Sequence, residues 1–440
     1  MKQLLVAVAT LLLLPALGGC ASVRANDGTS VGARASGSDV GAMDSQRDIV
    51  LAVANPLEPA ATHAGSNLLG YTPAAGYSAG QRAASALADI EKAYGVRTIT
   101  GWPIKALGLY CVVLQPPPGA DRDALIARLA ADKRVQLAQP LQEYAVYSDA
   151  DATPPAAPPD GRQYNDPYTD LQRGFVETRA AVAHTTTQGD GVHIAVVDTG
   201  ADMGHPDLKD HVRDGGDAVD DDAHAFNSDR HGTEVVGIIA AEGDNHQGMV
   251  GIAPKSRISV YKACWYPDPA KGARCNSFTL AKALAAIDDT DARIINMSLG
   301  GPADPLLGKL LGQLLGQGRI VVAALPPEGG TGGFPDNAPG VIVVRSSAAG
   351  PAAAGVLSAP GKDILTTQPD GGYDFTSGSS MAAAHVSGIL ALLLSMSPRL
   401  DATTARDILL RTSRVTQGMR EVDAAAAVAA LAAERGTRAR

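Results

Sequence analysis

The stretch Gly191-Val192-His193-Ile194-Ala195-Val196-Val197-Asp198-Thr199-Gly200 is an apolar run that ends in a carboxylate and a glycine. Continuous rather than alternating apolar residues mark a strand buried on both faces, the strand type of parallel sheets covered by helices. The chain downstream repeats this grammar. Strands fit Ile258–Ala263, Arg293–Leu299, Ile320–Ala324 and Val341–Val344, and helices fit Val235–Ala241, Thr279–Thr290, Pro305–Gln317, Ser380–Ser395 and Asp401–Leu410. Strands alternating with helices predict an α/β fold with a doubly wound parallel sheet. Such sheets carry their chemistry at the carboxyl ends of strands, and Asp198 stands at one.

Two more chemically useful groups sit at helix starts. His231 opens His231-Gly232-Thr233-Glu234-Val235-Val236-Gly237, and Ser380 lies in Gly378-Ser379-Ser380-Met381-Ala382-Ala383-Ala384-His385. A serine hydroxyl is a weak nucleophile at neutral pH until an imidazole takes its proton, and a carboxylate fixes the imidazole tautomer. A helix N-terminus beside the serine adds N–H donors for developing negative charge.

With these motifs the chain resembles the subtilisin-like serine protease family. Val197-Asp198-Thr199-Gly200, His205-Pro206-Asp207-Leu208, Gly251-Ile252-Ala253-Pro254, Asn296-Met297-Ser298-Leu299-Gly300-Gly301 and Val422-Asp423-Ala424 match its landmarks, over about residues 162–435. The resemblance implies a subtilisin-like fold and a serine endopeptidase whose catalytic residues are Asp198, His231 and Ser380. Ser380 is preferred to Ser379 because the family's serine immediately precedes Met-Ala, and His385 matches a non-catalytic position. Ser298, Leu299 and Gly300 then bind a peptide or protein substrate, which pairs with them as an added strand. The chemistry requires no cofactor. The resemblance also implies a structural calcium held by Asp207 and Asn245 with carbonyls of Gly243, Gln247 and Met249, oxygen ligands of the kind calcium takes. The acidic run Asp220-Asp221-Asp222 with Asp217 reads instead as a solvated loop.

One departure bears on rate. Where the family has Ala-Ala-Gly-Asn, with the asparagine donating to the oxyanion, this chain has Ala323-Ala324-Leu325-Pro326-Pro327-Glu328-Gly329. Proline offers no side-chain donor and no N–H. Ala384, Arg345 and Glu234 replace a proline, a glycine and a histidine common in the family. Two readings follow: a slow endopeptidase, or a pseudoprotease that binds peptides without cutting them.

The first 160 residues read separately. Lys2, the uncharged run Leu4 to Leu17 and Leu17-Gly18-Gly19-Cys20 resemble a bacterial lipoprotein signal, residues 1–20, with Cys20 lipidated. A run of this length fits a signal h-region better than a membrane span. Ala21 after the cysteine implies a cell-envelope protein anchored in the outer membrane of a Gram-negative bacterium, and no later stretch reads as membrane-spanning. Residues 21–45, rich in Gly, Ser, Ala and Asp, form a tether. Residues 46–147 show the order βαββαβ of a small ferredoxin-like unit, with strands at Ile49–Val53, Val96–Trp102, Leu107–Leu114 and Val135–Val146 and helices at Ala79–Tyr94 and Asp121–Lys133. By the family resemblance this unit is a propeptide that inhibits its own protease. A Pro/Ala linker, 148–161, precedes the catalytic domain, 162–435. Export permits disulfides. Cys264 and Cys275 suit one local bridge, and Cys111, in an apolar run, reads as a buried thiol. The net charge of −9 excludes a nucleic-acid partner bound through a basic surface. Only 4% of residues are aromatic, which suits a sheet and helices packed through Ala, Val, Leu and Ile.

Overall fold

The computed structural model describes residues 38–56, 78–147, 160–268, 271–326, 329–350, 352–416 and 419–438. Cys20, most of the tether, residues 148–159 of the Pro/Ala linker, Pro327 and Glu328 lie outside the described residues. From the N-terminal side come β1 (Ile49–Ala54), α1 (Gln81–Tyr94), β2 (Arg97–Ile104), β3 (Leu109–Gln115), α2 (Arg122–Ala130), β4 (Val135–Pro140) and β5 (Glu143–Val146). The first four strands form an antiparallel sheet in the order β2-β3-β1-β4. One face buries Ile49, Leu51 and Val53 against Leu87 and Ile90 of α1 and Leu125 and Leu129 of α2.

Beyond the linker the chain runs β6 (His193–Asp198), β7 (Val212–Asp217), α3 (Arg230–Ala240), β8 (Arg257–Lys262), β9 (Cys264–Trp265), β10 (Arg274–Asn276), α4 (Ser277–Asp288), β11 (Ile294–Met297), β12 (Leu299–Gly300), α5 (Pro305–Gly316), β13 (Ile320–Ala324), β14 (Ile342–Ser346), β15 (Leu357–Ala359), the hairpin β16 (Ile364–Gln368) and β17 (Gly372–Thr376), α6 (Ser379–Met396), α7 (Ala402–Thr412) and α8 (Ala424–Arg438). Seven strands build one parallel sheet, β15-β14-β13-β11-β6-β8-β7. From the central β6 the chain goes to the edge strand β7 and returns to β8 beside β6. It then crosses to build β11, β13, β14 and β15 outward on the other side, so the strand order reverses next to β6, where open sheets hold their sites. One face of the sheet packs on α3 and α6, with α8 behind α6 and α7 against α8 in the same core. The other packs on α4 and α5, whose outer sides meet the second face of the N-terminal sheet, with Trp102 edge-on to Phe278 at 4.7 Å.

Three sequence expectations need correction. The run Val135–Val146 is two strands rather than one. Its first half closes the N-terminal sheet, the Leu141 N–H bonds Asp48 O, and the Gln142 N–H is captured by Ser277 Oγ at 3.0 Å, which redirects β5 toward β10 and β12. Second, α6 has the length and apolarity to cross a membrane, yet 89% of it is buried in the protein core. Third, the run Arg293–Leu299 is not one strand but β11 and β12, separated at Ser298. β7 is Val-Arg-Asp-Gly-Gly-Asp, an edge strand with almost no apolar signature.

Candidate active site

Asp198 ends β6 and His231 sits in the first turn of α3. What brings them together is a close backbone approach. At Gly232 an added Cβ would fall 1.8 Å from Gly200 O, so only glycine lets α3 lie against the end of β6. The Gly232 N–H donates to Thr199 Oγ1 at 3.1 Å, and the Thr199 N–H donates to Asp198 Oδ1 at 2.8 Å. His231 Nδ1 then meets Asp198 Oδ1 at 2.7 Å, with both side chains fully buried. Burial pushes the His231 pKa down; the Asp198 charge and hydrogen bond, with Glu234 behind them, more than reverse this, and the net shift is upward.

Ser380 is in the first turn of α6, entered through Gly378 at φ 154°, a conformation open to glycine. The Ser380 hydroxyl donates to Ser298 O at 3.0 Å, and the Ser298 hydroxyl donates to Asn296 Oδ1 at 3.0 Å and faces Ser380 O at 3.3 Å. Residues 296–300 are thereby locked to the start of α6. Among the described residues, His231 Nε2, Asp198 Oδ2 and Ser379 Oγ are buried polar atoms without a hydrogen-bond partner. An orphaned imidazole nitrogen is unusual in a finished core, and it leaves His231 Nε2 free to accept a proton. His385 plays no such part. Its Nδ1 bonds Met381 O at 2.7 Å, and burial pushes its pKa down to about 4.

The stretch Ser298–Gly300, expected from the sequence to bind substrate, is paired with the chain itself. β5 lies antiparallel between β12 and β10, pairing Leu299 with Val146, Gly300 with Ala145 and Cys275 with Tyr144. β10 is joined to β9 by the Cys264–Cys275 disulfide, while Cys111 is a buried free thiol.

Tyr266, Lys262 and Asp229 were missed by sequence reasoning, and Glu234, noted there only as a departure from the family, has a structural part here. The His231 N–H donates to the Tyr266 hydroxyl at 3.2 Å. Lys262, 1% exposed, holds Asp229 Oδ2 at 2.6 Å and lies opposite Asp198 in the β6–β8 register. Glu234 is buried three residues after His231, where it accepts from Gln368 at 2.9 Å and lies 3.5 Å from Arg230, tying α3 to the β16–β17 hairpin. An isolated Lys or Asp in sequence gives no sign of such pairing.

The residues proposed for calcium come together but do not fit the ion. Asp207 Oδ1 accepts from the Asn245 side-chain amide at 2.7 Å, and Oδ2 accepts from the Met249 N–H at 3.0 Å and the Tyr373 hydroxyl at 2.9 Å. Asn245 Oδ1 accepts from the Gln247 N–H at 2.8 Å. Oxygens surrounded by N–H and O–H donors make a satisfied anion rather than a cation cradle. Gly243 lies in the same loop. No group of three or more His, Cys, Asp or Glu among the described residues is arranged to hold a metal ion. The acidic run is used locally, Asp222 capping the short helix Ala223–Ser228 and Asp217 accepting from the Val219 N–H at 2.7 Å.

Comparison with known proteins agrees with this architecture. The subtilase family profile matches residues 189–433. Thermitase of Thermoactinomyces vulgaris is 33% identical over 243 residues, covering 52% of this chain and 85% of that protein. The subtilisin of Bacillus pumilus is 33% identical over 256 residues, covering 54% of this chain and 90% of its own. The crystal structure of fervidolysin from Fervidobacterium pennivorans, a keratinolytic enzyme related to subtilisin, shares the fold with a TM-score of 0.65 at 21% identity, over 87% of this chain and 61% of that one. The chain belongs to the subtilase family, whose thermitase and subtilisin members are serine endopeptidases.

Proposed function

We propose that the protein is a lipid-anchored, secreted serine endopeptidase made as a zymogen, with residues 46–147 as its inhibitory propeptide. The observation that carries this reading is β5. A strand supplied by the N-terminal unit fills the groove between β10 and β12 and leads to Ser298, whose carbonyl holds the Ser380 hydroxyl. Tyr147 follows β5 against Gly300, where an added Cβ would lie 2.6 Å from its hydroxyl. This register favours a cut between Tyr147 and Ser148.

In the reaction Ser380 Oγ turns from Ser298 O to His231 Nε2, gives up its proton and attacks the carbonyl carbon. Asp198 keeps the Nδ1 proton in place and stabilises the imidazolium. The tetrahedral oxyanion is met by the Ser380 N–H at the positive end of α6. The imidazolium protonates the leaving amine, and water then hydrolyses the acyl-enzyme by the reverse roles. Lipidation at Cys20 would anchor the enzyme at the outer membrane through its acyl chains, at about 0.8 kcal/mol per buried CH₂.

The pseudoprotease reading draws support from Pro326 and Pro327, which leave the oxyanion one donor short. One experiment separates the two. The full chain is expected to label at Ser380 with a fluorophosphonate and to lose its N-terminal unit, and Ser380→Ala is expected to stay uncut. An unlabelled, unprocessed wild type refutes the enzyme.

A further inference from the structure

Tyr144 is the residue of β5 that points inward, 2% exposed between the exposed Glu143 and Ala145. Its ring stands edge-on to Phe334 at 5.7 Å and lies over Gly301, where an added Cβ would come 2.5 Å from the ring. These contacts would suit any aromatic side chain. The far end of the pocket is different. The Tyr144 hydroxyl reaches Asp304 Oδ2 at 3.1 Å, and Ser277 Oγ donates to the same oxygen at 2.6 Å. Asp304 is 4% exposed and Ser277 is fully buried. The other oxygen, Asp304 Oδ1, caps α5 by accepting from the N–H groups of Leu306 and Leu307, each at 2.9 Å. Burial, then the Asp304 charge, pushes the Tyr144 pKa up, so the phenol is held as the donor.

We propose that Asp304, with Ser277, is a specificity determinant that selects substrates carrying tyrosine at the place of Tyr144, three residues before the residue at the place of Tyr147. The inference rests on the protease reading above and adds a substrate class to it. When β5 leaves, an extended substrate pairs with β10 and β12 in the same register and presents its own side chain to this pocket. A phenylalanine fills the apolar part but leaves Asp304 Oδ2 short of one donor in a site sealed from water. A site built to bond a hydroxyl discriminates against the analogue that lacks it, because its buried polar group is left unpaired. The helix N-terminus and the Ser277 hydroxyl already compensate the carboxylate, so a neutral O–H suits the remaining lone pair better than the cation of lysine.

Ser277 sharpens the prediction. It is the other donor to the same oxygen, so removing it makes the carboxylate depend more on the substrate hydroxyl. Ser277→Ala should therefore widen the preference for tyrosine over phenylalanine. Asp304→Asn keeps a capping oxygen for α5 but replaces a charged acceptor with a neutral group, and should narrow it.

The test uses the self-processed enzyme and fluorogenic peptides X-Ala-Val-Tyr followed by the cleaved bond, with X as Tyr, Phe, Leu or Lys. The expected kcat/KM is higher for Tyr than Phe by about tenfold or more, the scale of a hydrogen bond to a charged group. The ratio should rise in Ser277→Ala and fall toward one in Asp304→Asn, while cleavage of the Phe peptide reports that each variant is folded. Equal rates for Tyr and Phe, a faster Lys peptide, or an unchanged ratio in both variants would overturn the proposal while leaving the protease intact. Cleavage of none of the peptides by wild type would instead overturn the protease reading beneath it.

Discussion

Replacing Lys262 with methionine should destabilise the protein in a pH-dependent way that identifies its partner. Lys262 and Asp229 form a buried ion pair at 2.6 Å, Asp229 being two residues before His231 at the start of α3. Burial pushes the Asp229 pKa up to about 7, against the lowering effect of Lys262. The unfolded value is about 3.9, so this carboxyl binds a proton on folding. Its contribution is complete below about pH 4 and is lost as pH rises to 7, at about 1.4 kcal/mol per pH unit. Above pH 7 the wild-type carboxyl is ionised and the loss stops. Without Lys262 the folded value climbs further, so the variant continues to lose about 1.4 kcal/mol per unit. The difference between the two proteins should be smallest at pH 5–6 and widen by about 3 kcal/mol by pH 9. It then approaches the ~3–5 kcal/mol typical of breaking a buried pair. Urea unfolding at several pH values, in a Ser380→Ala background that prevents self-digestion, measures it. A difference that stays constant from pH 5 to 9 refutes the reasoning, as does a Lys262→Met/Asp229→Asn double variant that still shows the divergence.

Three other perturbations are informative. Pro326→Asn and Pro327→Asn each test for the oxyanion donor whose removal from a subtilisin costs about 10²–10³ in kcat; peptide-hydrolysis kinetics should show a gain toward that range in one of them, and no gain in either means that another group already fills the role. Chelation by EDTA should leave the melting temperature unchanged, because the Asp207 oxygens are satisfied by the Asn245, Met249 and Tyr373 donors; a rise of several degrees with added calcium would show that the loop opens to hold the ion. Reducing the Cys264–Cys275 bridge should broaden peptide selectivity more than it lowers the unfolding midpoint, because Cys275 lies in β10 opposite Tyr144; unchanged selectivity counts against this.

Much of the catalytic region was legible because each piece is locally encoded. β6 is a six-residue buried strand ending at Asp198, and the strands Ile320–Ala324 and Ile294–Met297 carry the same continuous apolar signature. The starts of α3 and α6 are marked by glycines at Gly232 and Gly378. By contrast, β7 and the β16–β17 hairpin were illegible because their residues are recruited by neighbours rather than by their own pattern. The hairpin is held through the Thr366 hydroxyl, which donates to Glu234 O at 2.6 Å, and the Thr367 hydroxyl, which donates to Thr233 O at 2.7 Å. Neither contact has a sequence signature.

Periodicity and punctuation act over a few residues, and that range was enough to indicate the parallel α/β sheet. Contacts between distant residues decided the rest. The break at Leu141 that sends β5 into the groove depends on Ser277, more than a hundred residues away. The pairing of Lys262 with Asp229 and the meeting of Tyr144, Ser277 and Asp304 join segments that the chain itself keeps apart. Burial is what gives these pairings their energetic weight, and burial exists only once the layers have packed.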